Sequence, residues 1–141
     1  MQAFRDAPIG MAVVATDERI LLVEDEPALL ALGDRVLTQA GYEVHLAHDG
    51  AAAVRRAAAA GALDLLITDV TMPDIHGPRL ADILHQSRPD LSVLFISGHA
   101  SGAVPSGGDA AHVDFLAKPF RPDELLRRVQ GLLERRHRAT G

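Results

Sequence analysis

An α/β fold, with a parallel sheet carrying helices on both faces, is what this sequence predicts. Three observations support it. Short apolar runs alternate with amphipathic stretches from Arg19 onward, the links between them are short, and one run, Leu63–Thr68, is apolar at all but Asp64 and Thr68. Alternating strands and helices with short links build parallel sheets. A strand covered on both faces reads as such an unbroken run.

The elements follow in order. Ile20–Val23 is a bounded apolar run of strand type. Ala28–Ala40 is helical, with Leu29, Leu32, Val36 and Ala40 expected on one stripe and Gly41 as the stop signal. Glu43–Ala47 is a second strand. Asp49 is suited to cap a helix running to Ala60, with Gly61 ending it. After the strand Leu63–Thr68, the stretch Gly77–Ser87 is a third helix built on Leu80, Ile83 and Leu84. Leu91–Ile96 and Val113–Ala117 are buried-type strands. Pro122 opens a last helix with Leu125, Leu126, Val129, Leu132 and Leu133 on one face. Between the last two strands the alternation calls for a helix, yet Ser101–Asp109 holds Gly102, Pro105, Gly107 and Gly108. In helix interiors these residue types cost about 1 kcal/mol (Gly) and about 3 kcal/mol (Pro), so a loop or a single turn is expected there, mobile while the site is empty.

Composition narrows the function classes. With 141 residues, 48% of them hydrophobic, the chain suits one domain with an ordinary core. A net charge of −5 lacks the basic footprint of a nucleic-acid binder. The absence of cysteine excludes disulfides, thiolate metal sites and cysteine nucleophiles, and it suits a reducing cytoplasm. No apolar stretch approaches the roughly 20 residues that span a bilayer, and no signal peptide is recognisable, so a cytoplasmic protein without membrane contact is expected. His45 and His48 read as surface residues. Arg127, Arg128, Arg135, Arg136 and Arg138 read as a solvated face favourable to a helix C-terminus.

In open parallel sheets, ligands bind beyond the carboxyl ends of the strands. The polar residues gather there: Glu24 and Asp25 follow the first strand, Asp69 ends the third, Ser97 the fourth and Lys118 the fifth. Crowded carboxylates repel, so they need a cation or a proton. An all-oxygen set favours a hard ion such as Mg²⁺, which keeps waters and contacts phosphate. Asp69 could attack phosphorus to form an acyl phosphate, Lys118 could neutralise the transferred group as a point charge, and Ser97 could donate to a phosphoryl oxygen. Taken singly, Glu24 to Glu26 are ordinary first-turn acids before Pro27, Asp69 a strand-end acid and Lys118 a surface lysine. Their coincidence at one sheet edge favours the chemical reading.

Four stretches, Ile20–Pro27 (ILLVEDEP), Asp69–Gly77 (DVTMPDIHG), Phe95–Gly98 (FISG) and Lys118–Phe120 (KPF), make residues 19–134 resemble the receiver domain of bacterial response regulators and hybrid histidine kinases. The Ser-Gly after the fourth strand is closest in flavour to the C-terminal receivers of hybrid kinases. The resemblance implies a flavodoxin-like, doubly wound five-stranded sheet in the order 2-1-3-4-5, with a weak or missing fourth helix in this chain. It implies that Asp69 is the phosphoacceptor, that Asp25 binds Mg²⁺ directly and Glu24 mostly through water, and that Thr71 adds its backbone carbonyl. Lys118 then contacts the phosphoryl group, Ser97 is the switching hydroxyl, and Phe115 is the aromatic that turns inward when Ser97 moves. The Lys118–Pro119 bond is expected cis. The implied donor is a sensor histidine kinase or a histidine phosphotransfer protein, with an unidentified downstream protein as partner. A homodimer is left open.

Residues 1–18 fall outside that pattern. Phe4–Met11 resembles the opening of a PAS sensory domain without being long enough to form one, and 137–141 is expected to be a tail after a receiver over 19–136. The apolar residues 9–14 are expected to pack on a sheet edge or on a partner. With no effector segment in view, no direct DNA binding is expected, and the chain is read as a regulatory module and not an enzyme. Two alternatives compete with it. A metal-dependent phosphatase with an aspartyl nucleophile usually has a second Asp two residues on, where Thr71 stands here. A scaffolding pseudo-receiver would have lost part of the acid cluster or the lysine, and this chain has both.

Overall fold

A computed structural model of the chain describes residues 17–98 and 112–140. Five parallel strands, β1 (Arg19–Val23), β2 (Glu43–Ala47), β3 (Leu65–Asp69), β4 (Ser92–Ser97) and β5 (Val113–Ala117), form one sheet in the order β2-β1-β3-β4-β5. The described residues carry four helices: α1 (Pro27–Gln39), α2 (Gly50–Ala60), α3 (Gly77–His85) and α4 (Pro122–Thr140). α4 continues into the 137–141 segment. No described helix is long and apolar enough to cross a membrane.

Successive strand side chains point to opposite faces, and each face has its own core. Ile20, Leu22, Leu65, Ile67, Leu94 and Ile96 meet Leu37 of α1 and Leu125, Val129 and Leu132 of α4. Leu21, Val23, Leu66, Val93 and Phe95 meet Ala53 and Ala57 of α2 and Leu80, Ala81 and Leu84 of α3. β3 is buried along its whole length, as its central place requires.

Helix ends obey local chemistry. Asp49 caps α2 by accepting from the Ala52 N–H at 2.8 Å, and Gly41 and Gly61 take positive φ values of 102° and 75° just beyond α1 and α2. α1 differs from the expected stripe. Its deepest residues are Gly33 and Leu37, whereas Leu29, Leu32, Val36 and Ala40 are only partly buried. The physical reason is a close approach at Gly33: a Cβ there would lie 2.8 Å from Leu22 Cδ2. The helix turns its smallest residue to the sheet instead of its leucine row.

β3 and β4 are displaced toward their carboxyl ends relative to expectation. Leu63 and Leu91 are buried but precede the strands, and Leu91 N–H closes a turn onto the Arg88 carbonyl at 3.1 Å. Asp69 and Ser97 are strand residues, through the pairs Asp69↔Ile96 and Ser97↔Ala117. The expectations for residues 9–14 and for Ser101–Asp109, including the weak or missing helix, lie outside the described residues.

Candidate functional site

β1 runs straight into the acid pair. Glu24 is 5% exposed, its N–H donates to the Ala47 carbonyl at 3.1 Å, and its Oε2 accepts from the Glu26 N–H at 3.0 Å. These bonds extend the β1–β2 edge and fold the carboxylate back over its own chain. Asp25 beside it is exposed. On the neighbouring strand, Asp69 ends β3 at 6% exposure, next to Val70, whose N–H donates to the Ile96 carbonyl at 2.8 Å. Carboxylate oxygens of Glu24, Asp25 and Asp69 lie within 4.8 Å of one another.

Lys118 reaches this group from the end of β5. Its Nζ donates to Asp69 Oδ2 at 2.8 Å and lies 3.3 Å from Glu24 Oε1. Its own N–H donates to the Ser97 carbonyl at 2.8 Å, tying the lysine to the end of β4. The Lys118–Pro119 peptide is cis, as expected. Ser97 is half-buried at the same edge, and Thr71 is exposed in the β3–α3 loop.

The electrostatics follow from burial and crowding. Burial pushes the Glu24 carboxyl up; the Glu26 N–H draws it back, the negative charge of Asp69 adds to the rise, and Lys118 opposes it. For Lys118, burial works against the ammonium, yet the hydrogen bond and charge of Asp69, with those of Glu24 behind them, prevail and push its pKa up. One ammonium thus serves two carboxylates, with a third close by. That surplus of negative charge, made only of oxygen donors, fits a hard divalent cation. Among the described residues it is the one cluster of three or more His, Cys, Asp or Glu with that spacing.

The structure therefore brings Glu24, Asp25, Asp69 and Lys118 together and places Ser97 and Thr71 at the same edge. Phe115 lies one strand over, half-buried and turned in against Phe95, its partner in the β4–β5 register, with ring centroids 5.6 Å apart and planes at 21°. Along the sequence outside this set, His48 is exposed beside Asp49, while His45 is mostly covered and 2.9 Å from Glu43. The α4 arginines are engaged more closely than a solvated face implies. Arg128 and Arg135 both hold Asp114, Arg128 also donates to the Phe115 carbonyl, and Arg136 reaches Asp64 and the Asp90 carbonyl.

Sequence reasoning missed Asp74 and Gly50. Asp74 accepts from the Gly50 and Ala51 N–H groups, both at 2.9 Å, from 24 and 23 residues away. Nothing local in the chain signals that pairing.

A family model for the response regulator receiver domain matches residues 20–130. This chain belongs to that family. Among curated relatives, the receiver is 38% identical over 118 residues to the sensor kinase CckA of Brucella abortus, covering 82% of this chain and 12% of that protein. It spans less than half the length of the curated relatives it first matches. Among solved structures, a CheY-like receiver domain protein from Methanospirillum hungatei superposes with a TM-score of 0.76 at 26% identity, covering 88% of this chain and 99% of that one. The response regulator TrrA of Thermotoga maritima, in complex with Mg²⁺–BeF, gives a TM-score of 0.68 at 29% identity, covering 82% and 98%. The fold class and strand order expected from the sequence agree with these receivers, as does the reading of the chain as a regulatory module.

Proposed function

We propose that this receiver takes a phosphoryl group onto Asp69 from a phosphohistidine donor, with Mg²⁺ held at the acid cluster, and passes the change on to a protein partner. The observation that carries the reading is the buried Asp69 carboxylate, hydrogen-bonded to Lys118 at 2.8 Å with Glu24 and Asp25 at its side. In the transfer, an Asp69 oxygen bonds to phosphorus as the P–N bond to the donor imidazole breaks, and the electron pair leaves with the imidazole nitrogen. Lys118, already drawn to Asp69, is placed to follow the developing charge on the phosphoryl oxygens. Asp25 and Asp69 would be the residues to hold the metal, with Glu24 supporting it through water and Thr71 offering its backbone carbonyl. When bound, Mg²⁺ neutralises charge that builds on the transferred group.

The output reading rests on β4 and β5. Ser97 at the end of β4 is placed to donate to the new phosphoryl group. Phe95 lies two residues before Ser97 in β4 and stacks on Phe115 of β5, so a movement of the serine would reach the Phe115 ring through it. The donor is a sensor histidine kinase or a phosphotransfer protein, and the recipient of the signal is a protein surface. CckA, a kinase that carries a similar receiver, supports that place in a relay.

Incubation with acetyl phosphate and Mg²⁺ tests the assignment. Intact-mass measurement should show one added phosphoryl group, and Asp69→Asn should show none, because an amide cannot serve as the nucleophile. Labelling of the Asp69→Asn chain at another residue would overturn it.

A further inference from the structure

We propose that Asp74 is a positioning residue for the metal site, clasping the loop after Asp69 onto the first turn of α2. The inference rests on the metal reading above and adds a residue to it.

The loop between β3 and α3, residues 70–76, is fastened at two places. At its base the Gly77 N–H donates to the Val70 carbonyl at 2.8 Å, and the backbones approach so closely that a Cβ on Gly77 would stand 2.3 Å from the Asp69 carbonyl oxygen. At its tip, Asp74 Oδ1 accepts from the Gly50 N–H at 2.9 Å and from the Ile75 N–H at 2.8 Å, and Oδ2 accepts from the Ala51 N–H at 2.9 Å. The Gly50 contact leaves no room for a side chain, since a Cβ there would lie 2.6 Å from Ile75 Cβ.

Helix starts carry unpaired N–H groups, and a side chain from the preceding residue normally takes one of them. α2 already has that cap in Asp49, bonded to Ala52. Asp74 takes the two donors ahead of Ala52, at Gly50 and Ala51, from across the fold. The N–H groups of Gly50 and Ala51, in that order of effect, hold its carboxyl below the usual aspartate range, so the clasp is charged at neutral pH. Thr71 lies between the two fastenings. Its carbonyl has a fixed place only while both hold, because a loop free at its tip samples more conformations, and ordering them again opposes ligand binding. Asp74 thus acts on the metal through the backbone of Thr71 and Asp69 without touching it.

Calorimetric titration with Mg²⁺ alone, on the unmutated chain, Asp74→Ala and Asp74→Asn, decides the matter. Asp74→Ala should raise the Mg²⁺ dissociation constant about tenfold, the lower end of what is lost when groups orienting metal ligands are removed. Asp74→Asn keeps an acceptor oxygen for Gly50 and Ile75, so it should show an intermediate loss; it also decides the case if the alanine variant folds poorly. Phosphorylation by acetyl phosphate should slow at limiting Mg²⁺ and recover toward the unmutated rate at saturation, because Asp69 and Lys118 are untouched. Unchanged Mg²⁺ affinity beside a lowered melting temperature would make Asp74 a helix cap only and overturn the inference. Failure of the unmutated chain to bind Mg²⁺ would instead overturn the metal reading, and this inference with it.

Discussion

The two ends of the sheet use their charges in opposite ways. At the amino end, Arg19 lies 3.4 Å from Glu43, the Arg19 N–H donates to Asp64 at 2.9 Å, Arg136 lies 3.5 Å from Asp64, and His137 pairs with Glu18. Each acid there has a donor or a cation of its own. At the carboxyl end, Glu24 and Asp69 share Lys118, with the carboxylate of Asp25 beside them. Balanced pairs hold a fold together. An acid surplus at a buried edge lowers stability until something positive arrives, and it marks the end where chemistry happens.

Mg²⁺ should therefore act on one end only, and this is the largest effect expected. A ligand present at a hundred times its dissociation constant stabilises a fold by about 2.7 kcal/mol. Thermal melts with and without Mg²⁺ should show a clear rise for the unmutated chain and little or none for Asp25→Ala, whose phosphorylation should also slow. Normal phosphorylation of Asp25→Ala at low Mg²⁺ would remove Asp25 from the principal ligands.

pH separates the clasp from its surroundings. The Asp74 carboxyl is held below its ordinary value of 3.8, so the folded state binds its proton less readily than the unfolded one. Stability from this group is present above the unfolded value and is lost as pH falls through the lower folded value. The melting-temperature gap between the unmutated chain and Asp74→Ala should be constant near neutral pH and close in acid, below 3.8. A gap that persists there would mean that the charge on Asp74 contributes nothing.

The same contrast explains what could be read from the chain. Acids at the ends of apolar runs are visible one run at a time, and parallel topology then gathers them without further information. Glu24, Asp25, Asp69 and Lys118 were legible for that reason, and with the KPF stretch so was the cis bond. What escaped depends on contacts between elements. The rotation of α1 is set by Gly33 against Leu22, which hydrophobic spacing alone cannot express. The Asp74 clasp joins residues 24 apart through backbone N–H groups that carry no side-chain signature. The arginines of α4 looked like a solvated face because their partners, Asp64 and Asp114, lie on other elements.

Arg136→Ala tests the balanced end, with a smaller effect. Its side chain is 18% exposed and pairs with Asp64, itself 26% exposed. Partly screened pairs of this kind contribute about 1 kcal/mol or less. Urea unfolding should show a loss of that size, reduced by salt, while Mg²⁺ affinity and phosphorylation stay as they were. A loss of phosphorylation would show that the two ends are not independent.

Ser92 should give the smallest change. It opens β4 at the amino end, fully buried, paired with Leu65 in register and donating its N–H to the Asp64 carbonyl at 3.3 Å. Its backbone bonds do not depend on the side chain, and its hydroxyl has no hydrogen-bond partner among the described residues. A buried polar group without a partner opposes folding, so replacing it with an apolar group of similar size is neutral or favourable. Ser92→Ala removes that hydroxyl and leaves the β-carbon in place. Its effect should lie within about 0.5 kcal/mol of zero or be slightly stabilising, small beside the change of about 1 kcal/mol from Arg136→Ala. Equilibrium unfolding in urea measures both variants on one scale. A loss at Ser92 larger than that at Arg136 would mean that the hydroxyl is engaged at the amino end, and that this end is held by more than its paired charges.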